Sequence, residues 1–132
     1  MTPKQKRTVH TLLSTHGLLD EEGIDGWQVV VRNLVKLGVV WEGKSAPVGR
    51  AGLRNLLRKG GPEKELFVAA GICVFRHKVI FIDRAVHPDD FEQTLLHEIA
   101  HALVGKGGHG PEWRKVARRI GYRFGKVRMG GL

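Results

Sequence analysis

His97, Glu98 and His101 stand in the order His-Glu-x-x-His, and His109 follows eight residues later across a glycine-rich loop. Side chains four apart on a helix lie one above the other, so the first two imidazoles can reach a single metal ion. Glu98, directly after the first histidine, is then placed to take a proton from a water held by that ion. This is the chemistry of a zinc peptidase motif.

A catalytic zinc takes three protein ligands and keeps one position open for water. Beyond His101 the sequence holds only two further candidates among His, Asp, Glu and Cys, namely His109 and Glu112. The metzincin register needs a histidine at 107 and a glycine at 104, and this chain has Gly107 and Val104 there. A gluzincin takes a glutamate from a later helix, a part only Glu112 can fill. The loop 105–108 can fold His109 back, so His109 is the preferred third ligand and Glu112 the alternative. One Zn2+ per chain is expected, with Glu98 as the general base.

Positioning these groups needs a helix. Phe91, Leu95, Ile99 and Leu103 recur every four residues, with Leu96 beside them, and form a core-facing stripe. Asp89 or Asp90 is expected to cap this helix, which runs to about Val104. At about 100° per residue the histidine pair falls nearly opposite the stripe. Gly110-Pro111 opens a last helix with Trp113, Val116, Ala117 and Ile120 on one face, and Gly121 stops it. Upstream, Thr2-Pro3 starts a helix that ends near His16, and an acidic loop fills 20–26. Residues 27–33 are β-branched and read as a strand. Residues 66–75 and 78–83 are apolar runs that read as two strands with a corner at Arg76 and His77. Between these lies 34–65, read as an insertion carrying a short basic helix at 50–59.

The chain of 132 residues is expected to form one domain, with a basic and glycine-rich tail at 123–132. Its formal charge of +9 is unevenly distributed. Arg50, Arg54, Arg58 and Lys59 form one cluster; Arg114, Lys115, Arg118, Arg119, Arg123, Lys126 and Arg128 form another. A segregated basic excess suits a polyanion, so DNA is an expected partner and these residues its candidate contacts. A solvated cationic face is the alternative. The single cysteine, Cys73, excludes an internal disulfide and reads as a small buried side chain. With no signal-like start and no long apolar run, the expected setting is intracellular and cytoplasmic, without a membrane. A monomer is favoured. His10, His16, His77 and His87 lack partner spacing, and Trp27, Trp41 and Trp113 read as core or cleft-wall residues. Tyr122 reads as a packing residue, with an oxyanion donor as the alternative.

The run His97-Glu-Ile-Ala-His101, then His109-Gly-Pro-Glu-Trp113 and Val-Ala-Arg-Arg-Ile-Gly121, resembles the SprT-like (Spartan-like) zinc metalloproteases. Residues 71–84 are similar to the strand pair before their active-site helix, and 26–32 more loosely to their first strand. The resemblance is to the bare bacterial or phage type, since the sequence lacks the cysteines of the zinc ribbon that many members carry. It implies ligands at His97, His101 and His109, and a catalytic Glu98. It also implies a small zincin-like α+β fold, with a short, mainly antiparallel three-stranded sheet packed on the active-site helix and helices flanking it.

The expected function is that of a zinc-dependent endopeptidase. For eukaryotic members the resemblance implies cleavage of proteins crosslinked to DNA, and DNA-associated proteins are the expected substrates here. One alternative is a nucleic-acid-binding module with a structural zinc and no catalysis. Another is a regulatory protease that cleaves a repressor.

Overall fold

The computed structural model describes residues 1–19, 26–34, 40–42, 66–68 and 70–124. The candidate basic helix at 50–59, with Arg50, Arg54, Arg58 and Lys59, lies outside the described residues. So do most of the acidic loop and the tail residues Lys126 and Arg128.

Helix α1 spans Pro3–Thr15 and is fixed at both ends by local chemistry. Thr2 Oγ1 accepts from the Gln5 amide, while the Gln5 side chain accepts from the Thr2 amide, a reciprocal capping box. At the other end Gly17 takes a left-handed φ of 71°. Leu18 N–H reaches back to the Leu13 carbonyl and Gly17 N–H to Ser14, the Schellman closure. Val9 and Leu13 are the buried side of α1.

Three strands form a mixed sheet in the order β1-β5-β4. Strand β1 (Gln28–Arg32) runs parallel to β5 (Val79–Asp83), which pairs antiparallel with β4 (Gly71–Val74). The sheet is thus one parallel and one antiparallel pair, where the sequence suggested a mainly antiparallel one. The corner between β4 and β5 is a 3-10 turn over Phe75–His77, followed by Lys78 in the left-handed region. The apolar run 66–75 is split. Its first part, β3 (Leu66–Val68), pairs antiparallel with β2 (Val40–Glu42) in a separate two-stranded sheet.

Helix α2 (Phe91–Val104) lies on the three-stranded sheet. Its Phe91, Leu95 and Ile99 join Val29, Ile80, Ile82 and Val86, together with Val9 and Leu13 of α1, in one core. Asp90 occupies the cap position without a side-chain capping bond; a 3-10 turn over Pro88–Asp90 leads into the helix instead. Buried Asp83 ties the sheet's end together, its Oδ2 accepting from Leu34 N–H and its Oδ1 from Ala85 N–H. Helix α3 (Pro111–Arg119) packs on α2 through Trp113, Ala117 and Ala100. It closes as α1 does: Gly121 has φ 98°, Tyr122 N–H bonds the Ala117 carbonyl and Gly121 N–H the Arg118 carbonyl.

Leu95 is fully buried at the centre of this core. Leu95→Ala is expected to lower stability by about 2–5 kcal/mol, read as a shift of the urea midpoint with unchanged slope.

Candidate metal centre

Helix α2 gives its stripe to the core and turns His97 and His101 away from it. The two rings stand 5.1 Å apart, centroid to centroid. Gly105, at φ 83°, ends the helix, and Gly108, at φ 90°, turns the loop. Both are left-handed positions that glycine occupies without a Cβ penalty. The loop thereby brings His109 back over the pair.

The three rings meet at their Nε2 atoms. His109 Nε2 lies 3.1 Å from that of His101 and 3.1 Å from that of His97. All three ligand atoms fall within 4.8 Å of one another. Nitrogens at zinc-bond length around a tetrahedral ion would stand about 3.4 Å apart, so the spacing fits such an ion. The donor set points the same way. His101 Nδ1 faces the Lys106 carbonyl at 3.4 Å and must be its donor, which leaves Nε2 as the lone-pair nitrogen. One N–H on His109 can serve only one of its two neighbours. A cation satisfies all three lone pairs together.

Burial keeps these rings neutral, the form that binds metal. It depresses the His97 pKa to about 3, with His101 and His109 adding to the effect. His101 is lowered to about 4, chiefly by burial and then by His109, against a smaller opposite effect of the Lys106 carbonyl. His109 is lowered by burial and by Arg114.

Glu98 is 4% exposed, and its Oε1 lies 3.9 Å from His97 Nε2. Burial lifts its carboxyl to about 8. Its slot exists because β4 begins with glycine. A Cβ on Gly71 would stand 3.0 Å from Glu98 Cγ and 3.2 Å from Oε1. Cys73, two residues on, has its thiol pushed up to about 12 by burial and then by Glu98, so it stays protonated. Cys73 is half-buried against the core, where the sequence suggested a buried side chain.

Trp113 backs the whole cluster. Its ring centroid is 4.8 Å from His97, 5.2 Å from His101 and 4.5 Å from His109. Its buried Nε1–H finds no hydrogen-bond partner among the described residues. Tyr122 packs beside it, 5.3 Å from His97 and 5.8 Å from Trp113.

Glu112 is not brought to the histidines. It is exposed, and its Oε2 pairs with Lys106 Nζ at 3.4 Å. None of His10, His16, His77 and His87 joins a metal-capable group among the described residues. Arg114, Lys115, Arg118 and Arg119 are exposed on the outer side of α3 and line one open concavity with Pro111. The histidines are not part of that lining. Arg123 is also exposed, with its backbone held by Gln93. Gly71 and Gln93 were not evident as site residues in the sequence. A glycine opening an apolar strand does signal close approach, and Gln93 stands four before His97, on the same helical face.

The SprT-like family model matches residues 53–129. The chain belongs to the SprT-like family. The match takes in β3 to β5, α2, the loop and α3, and with them every residue of the histidine cluster. It begins inside the stretch read as an insertion and does not take in residues 26–32, which resembled the family more loosely. No curated protein and no solved structure matches the chain. No helix of this SprT-like chain among the described residues is long and apolar enough to cross a membrane.

Two outcomes follow from the geometry. His109→Ala should lose zinc on dialysis while Glu112→Ala keeps it, as read by metal content. The second concerns the metal-free protein. Glu98 has a folded pKa raised from its ordinary 4.5 to about 8. Its contribution is therefore present below 4.5 and lost as pH rises through 8. Glu98→Gln has no such loss, so its stability relative to the unsubstituted chain should rise between those values in chelator-treated denaturation series.

Proposed function

We propose that this chain is a zinc-dependent endopeptidase acting on DNA-associated or DNA-crosslinked proteins. The observation that carries the hydrolytic part is the meeting of three neutral imidazoles beside a buried carboxyl group. His97, His101 and His109 would hold a zinc ion, which would supply Lewis acidity to the scissile carbonyl and to a bound water. Glu98, buried with its Oε1 3.9 Å from His97 Nε2, is the residue that would hold a water proton there. With a cation at the three histidines the ionised form of Glu98 would be favoured against the burial that raises its carboxyl in the metal-free protein, so it could accept that proton and pass it to the leaving amine. Gly71 and Trp113 keep the acid and the ligands in place.

The DNA part rests on the exposed cations of α3. A structural zinc site would be closed by a fourth ligand. Among the described residues no fourth His, Cys, Asp or Glu joins the trio, which favours catalysis over a purely structural role.

The test compares zinc-loaded wild type and Glu98→Gln on casein and on a protein crosslinked to DNA, with and without single-stranded DNA. Wild type should cleave, and Glu98→Gln should be slower by about 10²–10⁴-fold. Equal inertness of both, with zinc bound, would sink the hydrolytic reading. DNA affinity should fall steeply with salt; no binding at low salt removes the DNA part.

A further inference from the structure

Gln93 sits one turn before His97 on the same face of α2. Its side chain leaves the helix to hold another segment. Oε1 accepts from Arg123 N–H at 2.8 Å, and Nε2 donates to the Gly121 carbonyl at 3.4 Å. These bonds grip the backbone on both sides of one residue, Tyr122. The same residue is held from α3, where its own N–H bonds the Ala117 carbonyl at 2.9 Å. Tyr122 is therefore located by both helices that build the metal centre.

The segment held in this way is a wall of the site. The Tyr122 ring stands edge-on to His97, with centroids 5.3 Å apart and planes at 87°. It also touches Trp113 at 5.8 Å and Phe124 at 4.9 Å. Phe124 follows with φ 56°, a left-handed conformation that a bulky residue keeps only when its surroundings hold it. Arg118 lies over the Phe124 ring at 5.4 Å. A phenol is protonated at neutral pH and so can donate a hydrogen bond there.

We propose that Gln93 is a positioning residue whose carboxamide sets the Tyr122 phenol as a hydrogen-bond donor to the carbonyl oxygen of the scissile bond. This rests on the hydrolytic reading above. Tyr122 is then the catalytic group, donating where negative charge develops, and Gln93 acts only through it. The carboxamide suits the task because it donates and accepts at once. A carboxylate in its place would keep the bond to Arg123 N–H but set an acceptor against the Gly121 carbonyl.

The experiment uses the full zinc-loaded chain with Gln93→Met, Gln93→Glu, Tyr122→Phe and the double variant Gln93→Met/Tyr122→Phe. The readouts are zinc affinity, kcat and KM on a peptide, and hydrogen exchange of the Arg123 amide. Tyr122→Phe should lower kcat by about 10²-fold, as loss of one oxyanion donor does. Gln93→Met should speed Arg123 exchange and lower kcat by about tenfold or more, with KM and zinc affinity near wild type. Gln93→Glu should keep Arg123 protected yet still lower kcat. In the double variant the Gln93 change should cost nothing further. Wild-type exchange at Arg123 in Gln93→Met, or losses that multiply in the double variant, would overturn the proposal. So would a fall in zinc affinity matching the fall in kcat, which marks a merely structural role. A wild type inert on every peptide would instead defeat the hydrolytic reading and the catalytic part with it, while the exchange measurement still decides the clamp.

Discussion

The burial of Leu95 and Ile99 beside Ile80 and Ile82 fixes the rotation of α2 about its own axis. Everything at the metal centre depends on that rotation. With the apolar stripe on the sheet, His97 and His101 point to the other side, and neither can be moved to the core without exposing a leucine. Each fully buried side chain of the stripe contributes about 1.5–3 kcal/mol, which is what holds the helix in that setting. Glu98 lies between the two directions. It faces the first strand residue of β4 rather than solvent, so its carboxyl group loses water while the histidines keep an opening.

The second helix of the site works through the same division of faces. Trp113 and Ala117 of α3 are buried against α2, while Arg114, Lys115, Arg118 and Arg119 are exposed. One short helix thus supplies both the aromatic support of the ligands and a cationic outer surface. The two do not interfere, because the aromatic layer stands between most of the positive charge and the imidazoles. Arg114 is the exception, and it reinforces the neutrality of His109.

The His97 and His101 pair was legible in the sequence because helical spacing alone brings those two together. His109 was legible because glycines next to it allow a sharp return and no other histidine follows. Capping and termination were legible at Thr2, Gly17, Gly105 and Gly121, where local chemistry decides the conformation. The long-range pairings were not. The run 66–75 is uniformly apolar, and nothing in it marks where one sheet ends and another begins. The parallel partnership of β1 with β5 joins segments far apart in the chain, which periodicity does not report. Gly71 and Gln93 matter through contacts with Glu98 and with the backbone around Tyr122, and such closeness exists only once the chain has folded.

Gly71 contributes to the centre by what it lacks. Glycine is a poor strand former, and any larger residue at that position would stiffen the edge of the sheet. The better choice for the strand is the worse choice for the carboxylate behind it. Strand propensity and placement of the acid compete for one position, and the sequence resolves the competition in favour of the acid.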